Sequence, residues 1–456
     1  MKPEKNNTFC YFPFTQLALK DWSANHGLVN AAPCCNTARR LTDTLGLMDK
    51  LKNDNTITPE DIFHSKAMNE LRSDMMSGVR NKICDTCWKQ EDANQENTWS
   101  PRLFSYLPDD DMSFDPNEPK LQAIDFGLGE NCNLRCRMCV PELSNKLRID
   151  QKYAFENNFH SVSDEATIGF ITGGDMPDSV KSKSCHTDIL YFDKTSVAWN
   201  WVIDNIDKLY HIRATGGEVF VESAYIELLD AAIEKNVSQN INLHFHTNAT
   251  KFSNTLIEKL KKFKSLEPNF SIDSVGKNYE YIRYPMPWGK LEKSVKHYID
   301  TLTPYTKDFA LNVAYSSLNA HYLEETYDWY VTTVHSENKF KKTLSMNISD
   351  VEPKYRGTNI RRLPISIRED IISILHKVKQ KNKAHDDVHL VDIDAAIARY
   401  TQSLDEPYDR EYNALKFYEE VHFFDMSRNQ HYSDFLHADI CKFLDEGKII
   451  YEARRR

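Results

Sequence analysis

The sequence has few of the residues that mark fibrous or low-complexity chains. Only 14 glycines and 17 prolines occur in 456 residues, which excludes collagen-like and proline-rich repeats. No run of 18 apolar residues occurs, so we expect no membrane span, and the polar first nine residues lack a signal-peptide core. Basic residues are outnumbered by acidic ones, 57 to 67, which argues against sequence-independent nucleic-acid binding. We expect a cytoplasmic globular protein of roughly two or three domains.

The cysteines are clustered along the chain. They occupy positions 10, 34, 35, 84, 87, 132, 136, 139, 185 and 441. In a reducing compartment such clustering indicates metal ligands or redox groups, and a disulfide framework is the alternative. Cys185 and Cys441 have no cysteine partner at metal-binding spacing, so we expect them to be free thiols.

Strand and helix patterns alternate from residue 121 onward. The predicted strands are 121–127, 209–214, 241–247, 269–273, 309–314 and 344–351. The predicted helices are 56–78 before this region and 219–235, 253–266, 288–302, 321–334 and 367–382 within it. About six βα units with short connections predict an α/β fold with a parallel sheet. Functional residues of such folds gather at the carboxyl-terminal ends of the strands.

The chain is predicted to have four parts. Residues 1–95 form a small cysteine-rich unit, and the acidic, proline-containing residues 96–120 form a linker. The alternating α/β region covers 121–384, with a polar insertion at 150–195. Residues 385–456 are predicted to be a helical extension.

Three cysteines follow the first strand of the alternating region. Cys132, Cys136 and Cys139 form the pattern C-x3-C-x2-C, which should arise by chance roughly 0.005 times in such a chain. Three thiolates can hold an iron–sulfur cluster and leave a fourth iron open to a small molecule. Zinc is the alternative, although it prefers a fourth ligand, and none is nearby at finger-like spacing.

This pattern resembles the signature of the radical S-adenosylmethionine (radical SAM) superfamily. The resemblance implies a partial (βα)6 barrel and a 4Fe–4S cluster on Cys132, Cys136 and Cys139. It implies that SAM chelates the fourth iron and that Met138 packs near its adenine. The implied activity is reductive cleavage of SAM to a 5′-deoxyadenosyl radical, which abstracts hydrogen from a substrate. A reducing partner such as a flavodoxin or ferredoxin is also implied.

The family's glycine–glycine–glutamate motif, which holds the SAM amino group, has two candidates. Gly216, Gly217 and Glu218 follow an apolar strand and precede an amphipathic helix. Residues 173–175, Gly-Gly-Asp, lie in the polar insertion and precede no such helix. The strand–motif–helix order favours Glu218 over Asp175, and a simple turn is the alternative interpretation.

Further residues match positions that contact SAM in radical SAM enzymes with peptide substrates. Asn248 follows the third strand, and Ser271 and Asp273 lie at the end of the fourth. Arg283 follows a few residues later, and its guanidinium could clamp the SAM carboxylate. Asn319, after the fifth strand, is a weaker candidate. For each residue alone, a cap, turn or surface charge is the alternative.

The cysteines of residues 1–95 resemble a twitch domain, a short relative of the SPASM domain that carries an auxiliary iron–sulfur cluster. Here the domain precedes the barrel. The resemblance assigns Cys10, Cys34, Cys84 and Cys87 as ligands of an auxiliary 4Fe–4S cluster, with Cys35 as a substitute for Cys34. A zinc ribbon on the same ligands is the alternative.

Such relatives often modify peptides or proteins, so the resemblance favours a peptide or protein substrate. A carbohydrate or small metabolite is the second choice. A non-catalytic zinc-binding scaffold protein is the alternative from another functional class. His244 and His246 share one face of a predicted strand, where they either line the sheet or bind a metal, and we expect the former.

Overall fold

The computed structural model describes residues 4, 7–20, 30–37, 57–92, 100–103, 114–157, 159, 162, 197–335, 344–350, 356–385 and 387–455. Within these residues, nine strands form one sheet. The strands are β1 Gln16–Lys20, β2 Asn30–Ala32, β3 Ala123–Leu128, β4 His211–Gly216, β5 Asn242–Thr247, β6 Ser265–Ser271, β7 Phe309–Tyr315, β8 Leu344–Asp350 and β9 Val388–Val391. Residues 173–175 and Cys185 lie outside the described residues.

Helices lie before, between and after the strands. In chain order they are α1 Phe12–Thr15, α2 Pro59–Phe63, α3 Lys66–Met76, α4 Asp85–Asp92, α5 Arg148–Glu156, α6 Val197–Asp204, α7 Ser223–Glu234, α8 Asn254–Leu260, α9 Gly276–Ile282, α10 Trp288–Leu302, α11 Leu323–Tyr330, α12 Ile365–Asn382, α13 Ile393–Ser403, α14 Arg410–Arg428 and α15 Ala438–Arg454. None of the helices in the described part of the chain is long and apolar enough to cross a membrane.

The sheet has the order β2-β1-β3-β4-β5-β6-β7-β8-β9. Only β1 and β2 pair in antiparallel orientation, and every other neighbouring pair of strands is parallel. The predicted α/β class with a parallel sheet is therefore confirmed. Because β3 to β8 run in chain order and in one direction, the loops that follow them meet at one edge of the sheet.

The predicted strands overlap β3 to β8, and the element boundaries differ at several places, two of which have a clear local cause. Strand β6 begins at Ser265 rather than at 269, so helix α8 ends at Leu260 instead of reaching 266. The sequence of β6 contains Glu267 and Pro268, which disfavour strands locally, and pairing with β5 overrides that preference. The helix predicted over 56–78 is divided into α2 and α3, because Ser65 is extended with ψ of 159°.

Three short strands, β1, β2 and β9, lie outside the predicted strands. Strand β1 pairs in parallel with β3, so part of the cysteine-rich segment belongs to the same sheet as the alternating region. Strand β9 extends the sheet beyond β8 with residues from the C-terminal part.

The insertion predicted at 150–195 begins in a helix, α5, and not in a loop. All six residues of β3 are buried, so this strand lies within the core beside the loop that carries the three cysteines.

Candidate cofactor site

The cysteine triad lies in the loop that follows β3. Cys132 and Cys136 are buried, Cys139 is half-buried, and they form one apolar cluster with Leu134 and Met138. Burial raises the pKa of all three thiols, and for Cys139 burial and the nearby Cys132 sulfur raise it to about 12. Thiols in this position ionise only when positive charge or a metal compensates the thiolates.

The two glycines of the predicted motif pack directly against the end of β3 and the loop that follows it. Gly216 has φ of +137°, and a Cβ there would lie 2.2 Å from the carbonyl oxygen of Leu128. A Cβ on Gly217 would lie 2.2 Å from the carbonyl oxygen of Asn131, the residue before Cys132. Only glycine fits at both positions, so the end of β4 and the cysteine loop are in backbone contact.

Glu218 is completely buried behind the same loop. Its carboxyl group accepts hydrogen bonds from Thr247 Oγ1 at 2.6 Å and from the Asn248 backbone N–H at 2.6 Å. Its own backbone N–H donates to the carbonyl oxygen of Asn131 at 2.8 Å. Burial raises the pKa of Glu218 to about 7, although the hydrogen bonds oppose the shift. The carboxyl group is therefore fixed between the ends of β4 and β5.

Asp273 and Arg283 form a buried pair beside Cys136. Arg283 Nε donates to Asp273 Oδ2 at 2.5 Å, and Nη2 donates to Oδ1 at 3.0 Å. The third nitrogen, Nη1, lies 3.9 Å from Cys136 Sγ. Asn319 Nδ2 donates to the Asp273 carbonyl at 2.8 Å, which fixes the backbone of this carboxylate. The pair thus directs Nη1 of the guanidinium at Cys136.

The remaining predicted residues occupy the same edge of the sheet. Asn248 Nδ2 lies 2.9 Å from Asn133 Oδ1 within the cysteine loop and 3.9 Å from Cys132 Sγ. Ser271 is the last residue of β6 and pairs in register with Asn312 of β7. Asn248 therefore touches the cysteine loop, whereas Ser271 marks only the end of its strand.

Helix α14 closes over the loop from the C-terminal part of the chain. The buried Arg137, which lies between two of the cysteines, donates from Nη2 to Asp425 Oδ1 at 2.6 Å and stacks over the Tyr281 ring at 3.4 Å. Arg356 Nη2 donates to the Arg137 carbonyl at 2.7 Å and is itself paired with the buried Glu420. These contacts hold the loop against α9 and α14.

The N-terminal cysteines are also brought together. The four buried thiols are Cys10, Cys34, Cys84 and Cys87. Burial, then the charges of Cys35 and Cys10, raise the pKa of Cys34 well above its usual range. Burial, then Cys10 and Cys87, raise the pKa of Cys84. The neighbouring Cys35 is exposed, so the side chain of Cys34 is the one that faces the other buried thiols.

Sequence reasoning missed several residues that position this site. Arg137 lies inside the cysteine motif, and its basic charge at that position is a local signal. Glu222 accepts from the Asn131 N–H at 2.8 Å and from Asn131 Nδ2 at 2.9 Å, and an acidic residue just before α7 is a weak signal. Asp425 and Glu420 have no local signal, because a charged residue in a helix is normally exposed.

No protein-family model and no curated protein matches the chain. Among solved structures, Streptococcus suis SuiB bound to S-adenosylmethionine is similar at 13% identity and a TM-score of 0.34, covering 69% of this chain and 56% of that one. SuiB bound to the precursor peptide SuiA has the same identity and TM-score, with 81% and 69% covered. Native anSMEcpe with bound AdoMet has 16% identity and a TM-score of 0.34, with 59% and 64% covered. The chain thus spans less than two thirds of the length of SuiB with S-adenosylmethionine and of anSMEcpe.

Proposed function

We propose that this chain is a radical SAM enzyme. The observation that carries the proposal is the backbone contact of Gly217 with Asn131, directly before Cys132. This contact joins the cysteine motif to the glycine–glycine–glutamate motif, two patterns that are far apart in the sequence. Only glycine allows the two backbones to approach this closely, which is consistent with a preformed cofactor site.

The side chains present fit a 4Fe–4S cluster and SAM. Cys132, Cys136 and Cys139 would hold the cluster, and Arg283 beside Cys136 would compensate its negative charge. The buried Glu218 carboxylate would bind the SAM ammonium group, and donors of Arg283 not used by Asp273 would bind the carboxylate. When bound, the cluster and SAM supply reductive cleavage to a 5′-deoxyadenosyl radical that abstracts hydrogen from the substrate.

The SAM adenosyl group has its own proposed contacts. Met138 is half-buried in the apolar cluster of the cysteine loop and would pack against the adenine. Asn248 and Ser271, at the ends of β5 and β6, would contact the ribose side. Exclusion of water by the surrounding core would protect a reactive intermediate.

The N-terminal cysteines are proposed to hold an auxiliary 4Fe–4S cluster on Cys10, Cys34, Cys84 and Cys87. The charges of Cys10 and Cys84 act on Cys34, and those of Cys10 and Cys87 act on Cys84, so these thiols are near one another. A zinc ion on the same four ligands is the alternative, which iron and sulfide analysis distinguishes.

A peptide or protein is the proposed substrate, and a carbohydrate or small metabolite is the second candidate. The preference rests on the resemblance of the cysteine-rich segment to twitch and SPASM domains. A flavodoxin or ferredoxin is the proposed source of the electron, since the chemistry needs one electron for each SAM cleaved.

The proposal is tested by anaerobic reconstitution with iron and sulfide, reduction with dithionite and measurement of 5′-deoxyadenosine from SAM. The wild-type chain should produce it, and the C132A/C136A/C139A variant should not. The matched control is Cys441→Ala, a half-buried free thiol of α15 that is not part of either cysteine group. Iron content should fall by about one 4Fe–4S cluster per chain in the triple variant only.

Two results would reject the proposal. One is production of 5′-deoxyadenosine by the triple variant at the wild-type level. The other is a colourless protein, isolated without oxygen, that carries zinc and neither iron nor sulfide. The second result would support the alternative of a non-catalytic zinc-binding scaffold.

A further inference from the structure

Three neighbouring strands place metal-binding side chains on one face of the sheet, away from both cysteine groups. His211 begins β4, His244 lies in β5 and Glu267 lies in β6. The parallel register pairs Arg213 with His244, and His244 with Glu267. Because His211 precedes Arg213 by two residues, its side chain points to the same face as the other two.

The ligand atoms of this trio converge. One ring nitrogen of His211, one of His244 and one oxygen of Glu267 all lie within 4.8 Å of one another. His244 Nδ1 lies 3.7 Å from Glu267 Oε2. Among the described residues, no other group of three histidine, cysteine or acidic side chains meets this criterion. Two imidazoles and a carboxylate form a donor set that binds divalent first-row transition ions.

Two cationic side chains, Lys307 and Arg213, border the trio. Lys307 Nζ lies 3.4 Å from Oε1 of Glu267, so the oxygen that faces His244 is the other one. Arg213 donates from Nη1 to Asp125 Oδ2 at 2.8 Å, and its Nη2 lies 2.9 Å from His246 Nε2, so both of these contacts are made with residues outside the trio.

An ion can reach the trio from solvent. The side chain of His244 is 24% exposed and that of Lys307 is 32% exposed, whereas the Glu267 side chain is 8% exposed. The trio therefore meets solvent through His244, whereas His211 and Glu267 are buried. Such access is required for metal exchange after folding.

We propose that His211, His244 and Glu267 bind one divalent first-row transition ion, such as Zn²⁺. Three protein ligands leave a coordination position for water or another small ligand. His244 precedes Asn248 by four residues, about 13 Å along an extended strand, so the metal would lie toward the opposite end of β5 from the cysteine loop. This site goes beyond the proposed radical SAM function and does not depend on it.

The test uses the full chain purified without oxygen, treated with excess Zn²⁺, desalted and analysed for zinc per chain. The variants His244→Asn and Glu267→Gln should each bind one equivalent less than the wild type. His297→Asn is the matched control, because His297 is a half-buried histidine of α10 whose ring contacts Asn254, away from the trio. Circular dichroism checks folding, and His211→Asn replaces either variant if that variant does not fold.

Cysteines also bind zinc, so Co²⁺ serves as a second probe. The cobalt lost in Glu267→Gln should show the ligand-field bands of nitrogen and oxygen ligands without thiolate-to-cobalt charge transfer. Equal zinc in all variants would overturn the proposal. So would a loss of cobalt that carries the thiolate charge-transfer band, because that ion would belong to the cysteines.

Discussion

Arg283 and Asp273 are joined by two hydrogen bonds, of 2.5 and 3.0 Å, and both residues are buried. The Asp273 carboxylate also accepts the Ala314 backbone N–H at 2.8 Å. The carboxylate thus fixes a guanidinium that points at Cys136. This arrangement connects the carboxyl-terminal ends of β6 and β7 to the cysteine loop.

Removal of one member of this pair should destabilise the chain strongly. Arg283→Met leaves an uncompensated buried carboxylate, so the free energy of unfolding should fall by about 3–5 kcal/mol. The double variant Arg283→Met with Asp273→Leu should lose less, because neither charge remains. Urea denaturation measures the free energy of unfolding of both variants. The control is the exposed pair of Arg410 with Glu446, where Arg410→Met should cost about 0–1 kcal/mol. Equal losses at the buried and exposed pairs would contradict this prediction.

The pKa of Glu218 predicts a pH-dependent stability. Folding raises this pKa from 4.5 to about 7, so the native state favours the protonated carboxyl. The stabilisation is complete below pH 4.5 and is lost as the pH rises through about 7. Relative to Glu218→Gln, the wild type should lose about 3 kcal/mol between about pH 4.5 and 8. Urea denaturation across this range tests it, and a constant difference between the two proteins would show that Glu218 is not perturbed.

Binding of SAM should depend on the same carboxyl group in the opposite sense. An ammonium group favours the ionised form, so the affinity for SAM should rise as the pH increases through about 7. Isothermal titration calorimetry of the reconstituted chain measures this dependence. In Glu218→Gln the free energy of SAM binding should be less favourable by about 2–5 kcal/mol. The affinity of this variant should not rise with pH. The control is Glu258→Gln, at an exposed carboxylate of α8.

The contact between β4 and the cysteine loop predicts a sharp difference between two glycines. Gly217→Ala would force a Cβ to 2.2 Å from the Asn131 carbonyl oxygen, so the loop must shift. We expect lower iron retention by the triad and a loss of about 1–3 kcal/mol in stability. Gly289→Ala in α10 meets no atom within 4 Å and should be neutral or stabilising by up to about 1 kcal/mol. Iron analysis and urea denaturation distinguish them, and wild-type behaviour of Gly217→Ala would be evidence against a close contact.

The N-terminal cysteines predict a second, separable metal centre. C84A/C87A should lose roughly half of the iron but still produce 5′-deoxyadenosine, because the triad is intact. Turnover of substrate should fail if this cluster supports it. Cys34→Ala should lose the same iron, whereas Cys35→Ala, at an exposed position, should retain it. Full iron content in the double variant would rule out this centre.

The local sequence determined several features of this protein. The spacing of the three cysteines, the order of strand, Gly216-Gly217-Glu218 and helix, and the hydrophobic periodicity of β3 to β8 are all visible within short windows. They sufficed for the parallel α/β sheet and for a candidate cofactor site, because βα units place successive loops at one edge. The exact agreement of α10 with its predicted range, 288–302, has the same origin in a strongly amphipathic pattern.

The tertiary structure alone decided which side chains meet. Glu218 and Thr247 are 29 residues apart, and Arg137 and Asp425 are 288 residues apart. No local pattern reports such contacts, which depend on strand register and helix packing. The short strands β1, β2 and β9 exist because a neighbouring strand supplies their hydrogen bonds. The convergence of His211, His244 and Glu267 likewise follows from register, since a shift by one residue would turn a side chain to the opposite face.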